Sequence, residues 1–514
     1  MSVPTRAAAR ALPVFRPGLS RRGANTAAQR CFGASMPLSR QALGAAYQRN
    51  ASSSGSVARR GLCAGGLRWY SSSTYGSSSD ETGSSVGDSG ESLASSVDSL
   101  TGGVPRFAFA FDIDGVLLHS SEPIPGATET LRYLQQQKIP FILLTNGGGK
   151  LESERVAELS EKLGVELGVS NFVQSHTPYQ RLLNPDIHLG YPDLQSYLER
   201  SIGRPRLSSS DTVLVLGSDA SKARHIAYNY GFESVVTPAD ILKANPEVFP
   251  FDPLKEFYAK QETLPLPRPI YDPKASPAME LEDCLKIDAI MVFNDPRDWA
   301  VDIQLIKDLL LSHRGYLGTY SPANGDPRLP RRRQWQADGQ PALIFSNADL
   351  LWSTGYHLPR LGQGAFRAAL QHIWNRLVRS SGAKESRLRE FTFGKPALPT
   401  YWHAWDVLQR YHREQFPGAS GPLRRVHMVG DNPESDIRGV TAWNHCTMTR
   451  SDDIRARWPM PPWSSYLVRT GVWAEDKVPL DQLDAEARPH WVRDDVRDAV
   501  NLALDQEGWA GRVE

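Results

Sequence analysis

Two carboxylates, one residue apart at the end of an apolar run, are the first chemistry this chain offers. Phe107-Ala108-Phe109-Ala110-Phe111 leads directly into Asp112-Ile113-Asp114-Gly115-Val116. An unbroken apolar run of this length reads as a strand buried on both faces, as in a parallel sheet. Acids at its end are costly unless a cation or hydrogen bonds compensate them. In open α/β sheets that strand end is where ligands bind, and Gly115 lets the backbone turn sharply beside one. One carboxylate can attack an electrophile and divide a hard transfer into two steps, while the other moves protons.

Three further segments complete the set. Val426-His427-Met428-Val429-Gly430-Asp431-Asn432-Pro433-Glu434-Ser435-Asp436 is an apolar run ending in Gly-Asp, with a second Asp after four intervening residues. Such an all-oxygen donor set suits Mg²⁺. Ile139–Leu144 is a third apolar run, and it ends at Thr145-Asn146-Gly147-Gly148-Gly149. A threonine hydroxyl and backbone amides freed by glycine make a phosphate cradle. Phe393-Gly394-Lys395-Pro396 supplies a lysine able to offset charge repulsion when one anion attacks another. Each piece alone has a plain reading as an Asx turn, a loop or a solvated lysine. Their joint occurrence in one order argues for a site.

The segments resemble, in order, the four motifs of the haloacid dehalogenase superfamily: DxDG(V/T), a strand ending in Thr or Ser, Gly-Lys-Pro, and GDxxxxDI. The resemblance covers about Arg106 to Arg450 and implies a Rossmann-like parallel-sheet core. It makes Asp112 the nucleophile and Asp114 the general acid and base, the phosphatase form of the motif. It implies that Thr145 and Lys395 act on the phosphoryl group. It further implies Mg²⁺ held by Asp112, the main-chain carbonyl of Asp114 and Asp431, with Asp436 holding a metal water or orienting the loop. The Gly triplet departs from the Thr-Asn-Asn usual in subfamily IIA. Asn146 and Gly147 fall at the phosphate in this reading.

Roughly 250 residues separate Asn146 from Lys395, too many for a connection within one sheet. Helices are expected at Ala127–Lys138 and Glu152–Leu163, and a strand and turn at Phe172–Thr177. Further strands are expected at Val213–Gly217, Ile287–Phe293 and Ala342–Asn347. The last three resemble the large inserted α/β cap of subfamily IIA. The leader, TNGGG, the Pro-rich insertion and Asn294–Trp299 are most similar to the cat-eye-syndrome-critical-region-like mitochondrial branch. Asn347 and Asp349 stand where that resemblance places cap-to-substrate contacts, with Trp352 and His357 nearby. Arg331-Arg332-Arg333 reads as a solvated loop. Trp458–Trp463 reads as a rigid loop, and Asp494–Leu504 as an amphipathic helix packing on the core. The expected domains are a core in two parts, 105–205 and 392–514, and a cap at 206–391. An oligomer through the cap is a further expectation.

The charge is segregated. Of 58 Lys and Arg, 11 are arginines within residues 1–70, a stretch with no acid; 47 remain against 57 Asp and Glu. The leader has the composition of a mitochondrial presequence, with a matrix processing site read at Arg68–Ser72. Residues 71–104 read as a Ser/Gly-rich linker without enough apolar surface to offset ordering. The acidic body is a poor binder of nucleic acid, and no apolar run approaches a membrane span. Four cysteines without CxxC spacing suggest neither a disulfide framework nor zinc. The resulting expectation is a Mg²⁺-dependent phosphatase of a small phosphorylated metabolite in the mitochondrial matrix. The alternatives are a scaffold derived from such an enzyme, or a phosphatase in glycerophospholipid metabolism.

Overall fold

The computed structural model describes residues 104–183, 192–251, 254–330, 333–352, 356, 358–380, 387–418, 421–450 and 460–514. The expected presequence, residues 71–103 of the expected linker, Arg331 and Arg332, His357, and Trp458-Pro459 lie outside these.

Two parallel sheets carry the chain. The first has six strands in the order Trp491–Arg493, Trp463–Val468, Arg425–Gly430, Phe107–Phe111, Phe141–Leu144, Phe172–Val173. The second has five: Phe391–Thr392, Ala342–Phe345, Ala289–Val292, Thr212–Leu216, Ser234–Val236. This is the α/β architecture expected, a Rossmann-like core with an additional α/β layer.

Side-chain alternation along the strands divides the packing. Phe109 and Phe111 face helices Ala127–Gln136 and Val496–Gln506 through Leu131, Leu134, Val500 and Leu504. Ala108 and Ala110 face the other way, into a core shared by both sheets. That core joins Ile142, Leu144 and Val173 of the first sheet to Val215, Met291 and Ile344 of the second, through Tyr179, Phe393 and Tyr401. The buried Tyr179 hydroxyl donates to the carbonyls of Val292 and Ile344, at 2.8 and 3.2 Å. The outer face of the second sheet is closed by helices Trp299–Leu311 and Gln363–Ser380 through Leu305, Phe366 and Trp374.

The structure differs from expectation in three places. Helix Pro192–Ile202, placed with the first part of the core, packs on the second sheet. There the Tyr197 hydroxyl donates to Leu343 O and accepts from Leu343 N. Strand Phe391–Thr392, cut by the expected boundary at 391, is an edge of the second sheet. Within the expected second part of the core, 392–514, Trp463–Val468 and Trp491–Arg493 add two strands to the sheet where only a loop and a helix were expected. Among the described residues no helix is long and apolar enough to cross a membrane.

Candidate active site

The two sheets present their carboxyl ends to one cavity of about 720 Å³. Asp112, Thr145, Asp431 and Gly471 follow strands of the first sheet; Asn294, Asn347 and Lys395 follow strands of the second. Each parallel sheet thus brings residues far apart in sequence to one edge, where such sheets place ligands.

At its base Lys395, 1% exposed, has its Nζ 2.8 Å from Asp112 Oδ1 and 2.6 Å from Asp436 Oδ1. Burial pushes this ammonium down, but the two carboxylates outweigh it and hold the group above its ordinary range. Asp112, Asp431 and Asp436 each bring a carboxylate oxygen within 4.8 Å of the others. Three buried acids against one ammonium leave a negative excess, and hard oxygen donors at this spacing fit a divalent cation such as Mg²⁺. Asp431 and Asp436 are both raised above the usual carboxylate range, chiefly by burial. Asp436 is engaged at both oxygens, by Lys395 and by the Asn432 N–H at 3.1 Å, so it orients the lysine and the loop. The side chain of Asp114 is not in this cluster. Asp114 lines the cavity and is exposed to it yet surrounded by protein, and desolvation followed by the Asp112 charge raises it.

The glycine triplet is shaped by its neighbours. Thr145 Oγ1 accepts the Gly147 N–H at 3.0 Å, leaving the hydroxyl proton free to be donated. Gly149 N–H donates to His176 Nε2 at 3.0 Å, so the ring proton sits on Nδ1, 2.8 Å from Tyr230 Oη. Tyr230 and Thr177 in turn donate to Glu152 Oε1, at 2.5 and 2.7 Å. Burial pushes His176 down to about 4, keeping it neutral. A Cβ at Gly148 would strike Ser175 and His176, and one at Gly149, where φ is +93°, would strike Asn294. Space thus demands glycine at these two positions, whereas a Cβ at Gly147, the position that departs from Thr-Asn-Asn, would meet only Thr145 Oγ1 at 3.3 Å. Of the triplet, Gly148 alone keeps an amide without a protein acceptor among the described residues.

Several residues expected at the phosphate or substrate are hydrogen-bonded within the protein. Asn146 donates to Asp349 Oδ2 (2.9 Å) and Lys395 O (3.0 Å), and accepts from Lys395 N (2.7 Å). Its amide is consumed in fixing the lysine. Asn347 donates to Asn146 O and accepts from Asp349 N, at 3.1 and 2.7 Å. The Gly147 amide is taken by Thr145. Asp349 lines the cavity, and burial raises it to about 6. Trp352 lines the mouth and is exposed.

Sequence reasoning passed over the loop after Trp463–Val468. Val472 N–H donates to Asp431 Oδ2 at 2.6 Å, and Thr470 Oγ1 donates to Gly115 O at 2.6 Å. Cβ atoms at Gly115 or Gly471 would overlap the Asp431 side chain. The signal was present: Tyr466-Leu467-Val468 is an apolar run followed, after Arg469, by Thr470-Gly471.

A family model described as haloacid dehalogenase-like hydrolase matches residues 109–233. With the relative described next, it shows that the chain belongs to the haloacid dehalogenase-like hydrolases, of the subfamily IIA type, and is an enzyme. A Saccharomyces cerevisiae protein named as a mitochondrial hydrolase is 34% identical over 418 residues, 78% of this chain and 96% of its own length. A Schizosaccharomyces pombe protein, named a cardiolipin synthase (CMP-forming)/mitochondrial hydrolase fusion, is 33% identical over 407 residues. That match covers 79% of this chain and 54% of the fusion. Both names support a mitochondrial location. Among solved structures, NagD of E. coli aligns at 19% identity and TM-score 0.39, covering 76% of this chain and 96% of that one. A Pyrococcus horikoshii hypothetical protein aligns at 18% and 0.42, covering 77% and 99%.

Proposed function

We propose that this hydrolase is a Mg²⁺-dependent phosphatase of a small phosphorylated metabolite in the mitochondrial matrix, working through an aspartyl-phosphate. The observation carrying this reading is the Asp112–Lys395 contact of 2.8 Å beside the three-carboxylate cluster. Asp112, Asp431 and the main-chain carbonyl of Asp114 would hold the metal, and Asp436 would orient the loop around it. Bound there, Mg²⁺ supplies positive charge that lets a phosphate dianion approach a carboxylate.

Asp112 attacks phosphorus and forms the new P–O bond as the bond to the leaving oxygen breaks. Asp114 gives its proton to that oxygen, and burial together with the Asp112 charge favours the protonated carboxyl that this step needs. Lys395 stays protonated throughout and neutralises charge on Asp112 and the phosphoryl oxygens. The Thr145 hydroxyl and the Gly148 amide donate to those oxygens. Asp114 then takes a proton from water, which attacks phosphorus and releases phosphate and Asp112.

The test is phosphate release from a panel of phosphorylated metabolites, with Mg²⁺ or EDTA, alongside Asp112→Asn and Asp431→Ala. Release should require Mg²⁺, vanish in Asp112→Asn with folding intact, and need much more Mg²⁺ in Asp431→Ala. Normal turnover by Asp112→Asn would remove the nucleophile, and no release from any compound would favour the scaffold reading. A second reading, in glycerophospholipid metabolism, is favoured by the relative fused to a cardiolipin synthase and by the apolar part of the cavity wall, Leu118, Leu351, Trp352 and Val472.

A further inference from the structure

The cavity's cations are unevenly placed. Lys395 at the base is spent on Asp112 and Asp436. The others, Lys150, Arg155 and Lys162, belong to helix Glu152–Leu163 and the turn before it, and form one wall. Arg155 and Lys162 are seven residues apart, two helical turns, and so share a face. Both are part-buried.

Their pairing is incomplete. Glu158 is shared between Lys150 and Arg155, the latter at 3.4 Å. Lys162 has no carboxylate partner among the described residues; its Nζ reaches only the Ser121 hydroxyl, at 3.4 Å. Glu154 and Glu161 are exposed and do not line the cavity. The wall therefore keeps a positive excess while the base is acidic.

Its position relative to the reaction is also fixed. Ser121 lies on the hairpin Leu118–His119/Glu122–Pro123 that directly follows Asp114, and Asp114 is bridged to Leu118. Asp114 is the group assigned to the leaving oxygen, so this wall stands where the leaving group extends.

We propose that Arg155 and Lys162 form a subsite for a second anionic group on the leaving group, so that the substrate is a phosphomonoester bearing a carboxylate or a further phosphate. The proposal rests on the phosphatase reading above. It makes the two residues determinants of specificity, outside the bond-making steps.

The test uses the full chain with Mg²⁺ and three aryl probes: phenyl phosphate, 4-carboxyphenyl phosphate and 1,4-phenylene bisphosphate. The parent should favour at least one doubly anionic probe over phenyl phosphate by about tenfold or more in kcat/KM, the size expected for a partly desolvated charge pair. The better of the two arms tells carboxylate from phosphate. Lys162→Met and, separately, Arg155→Met should collapse that preference towards unity while changing phenyl phosphate turnover less than about twofold; Lys162→Arg should keep it. Phenyl phosphate turnover with no preference in the parent, or a preference untouched by both Met variants, overturns the subsite and leaves the phosphatase standing. Equal losses on all three probes also overturn it, because the cations then act through Asp114 or the fold. No turnover of any probe overturns both readings.

Discussion

Replacing Lys395 by methionine removes the ammonium at the base of the cavity and keeps the shape of its stem. The side chain is 1% exposed and contacts two carboxylates directly, with a third in the same cluster. Breaking a buried ion pair by deleting one partner costs about 3–5 kcal/mol, because an uncompensated charge stays behind. The cost must depend on pH. Asp431 and Asp436 are raised in the folded state, chiefly by burial and with neighbouring carboxylates adding to it. A carboxyl raised above its unfolded value adds stability below the ordinary carboxylate range and loses it as pH rises through the raised value. Lys395 counters that loss, since its charge favours both ionised acids. Urea unfolding in EDTA at about pH 8 should therefore show the full loss for Lys395→Met, and at about pH 5 a distinctly smaller one. Millimolar Mg²⁺ should return part of it at the higher pH. Equal losses at both pH values, or none at the higher, would refute the assignment of Lys395 as the counter-charge of this cluster.

Gly149→Ala should cost about 1–3 kcal/mol from backbone strain at φ +93° alone, and should weaken inhibition by inorganic phosphate by displacing the triplet. Adding Asn294→Ala should relieve the overlap and leave the strain, which unfolding midpoints of single and double variants can separate. Asn146→Ala gives up three hydrogen bonds, one to a carboxylate, and should lower stability by about 2–4 kcal/mol. It should lower kcat more than it raises KM, because it frees Lys395; a pure KM effect would return Asn146 to phosphate binding.

What could be seen in the sequence was local. Asp112, Thr145 and Asp431 each end an apolar strand within a few residues, so run and polar tip can be read together. Helix Glu152–Leu163 emerged with its expected bounds, and Val496–Gln506 lost only its first two expected residues, Asp495 becoming the cap. The roles of Asn146, Asn347 and His176 were hidden because their partners lie 249, 201 and 54 residues away, respectively. The last core strands escaped for another reason. In Trp463–Val468 the two serines break the apolar run, and Trp491–Arg493 is only three residues long. Lys395 was read as part of the core, yet the second sheet's edge strand delivers it, a pairing that no short motif encodes.

The core common to both sheets bears on what this enzyme can admit. Tyr179 ties two strands of the second sheet to the segment leaving the first, and Asn146 ties Asn347, Asp349 and Lys395 together across the cavity. A lid joined through hydrocarbon and buried hydrogen bonds cannot swing aside without exposing them to water. A substrate must therefore reach the buried carboxylates past a wall that includes Leu118, Leu351, Trp352 and Val472, with both sheets held in place.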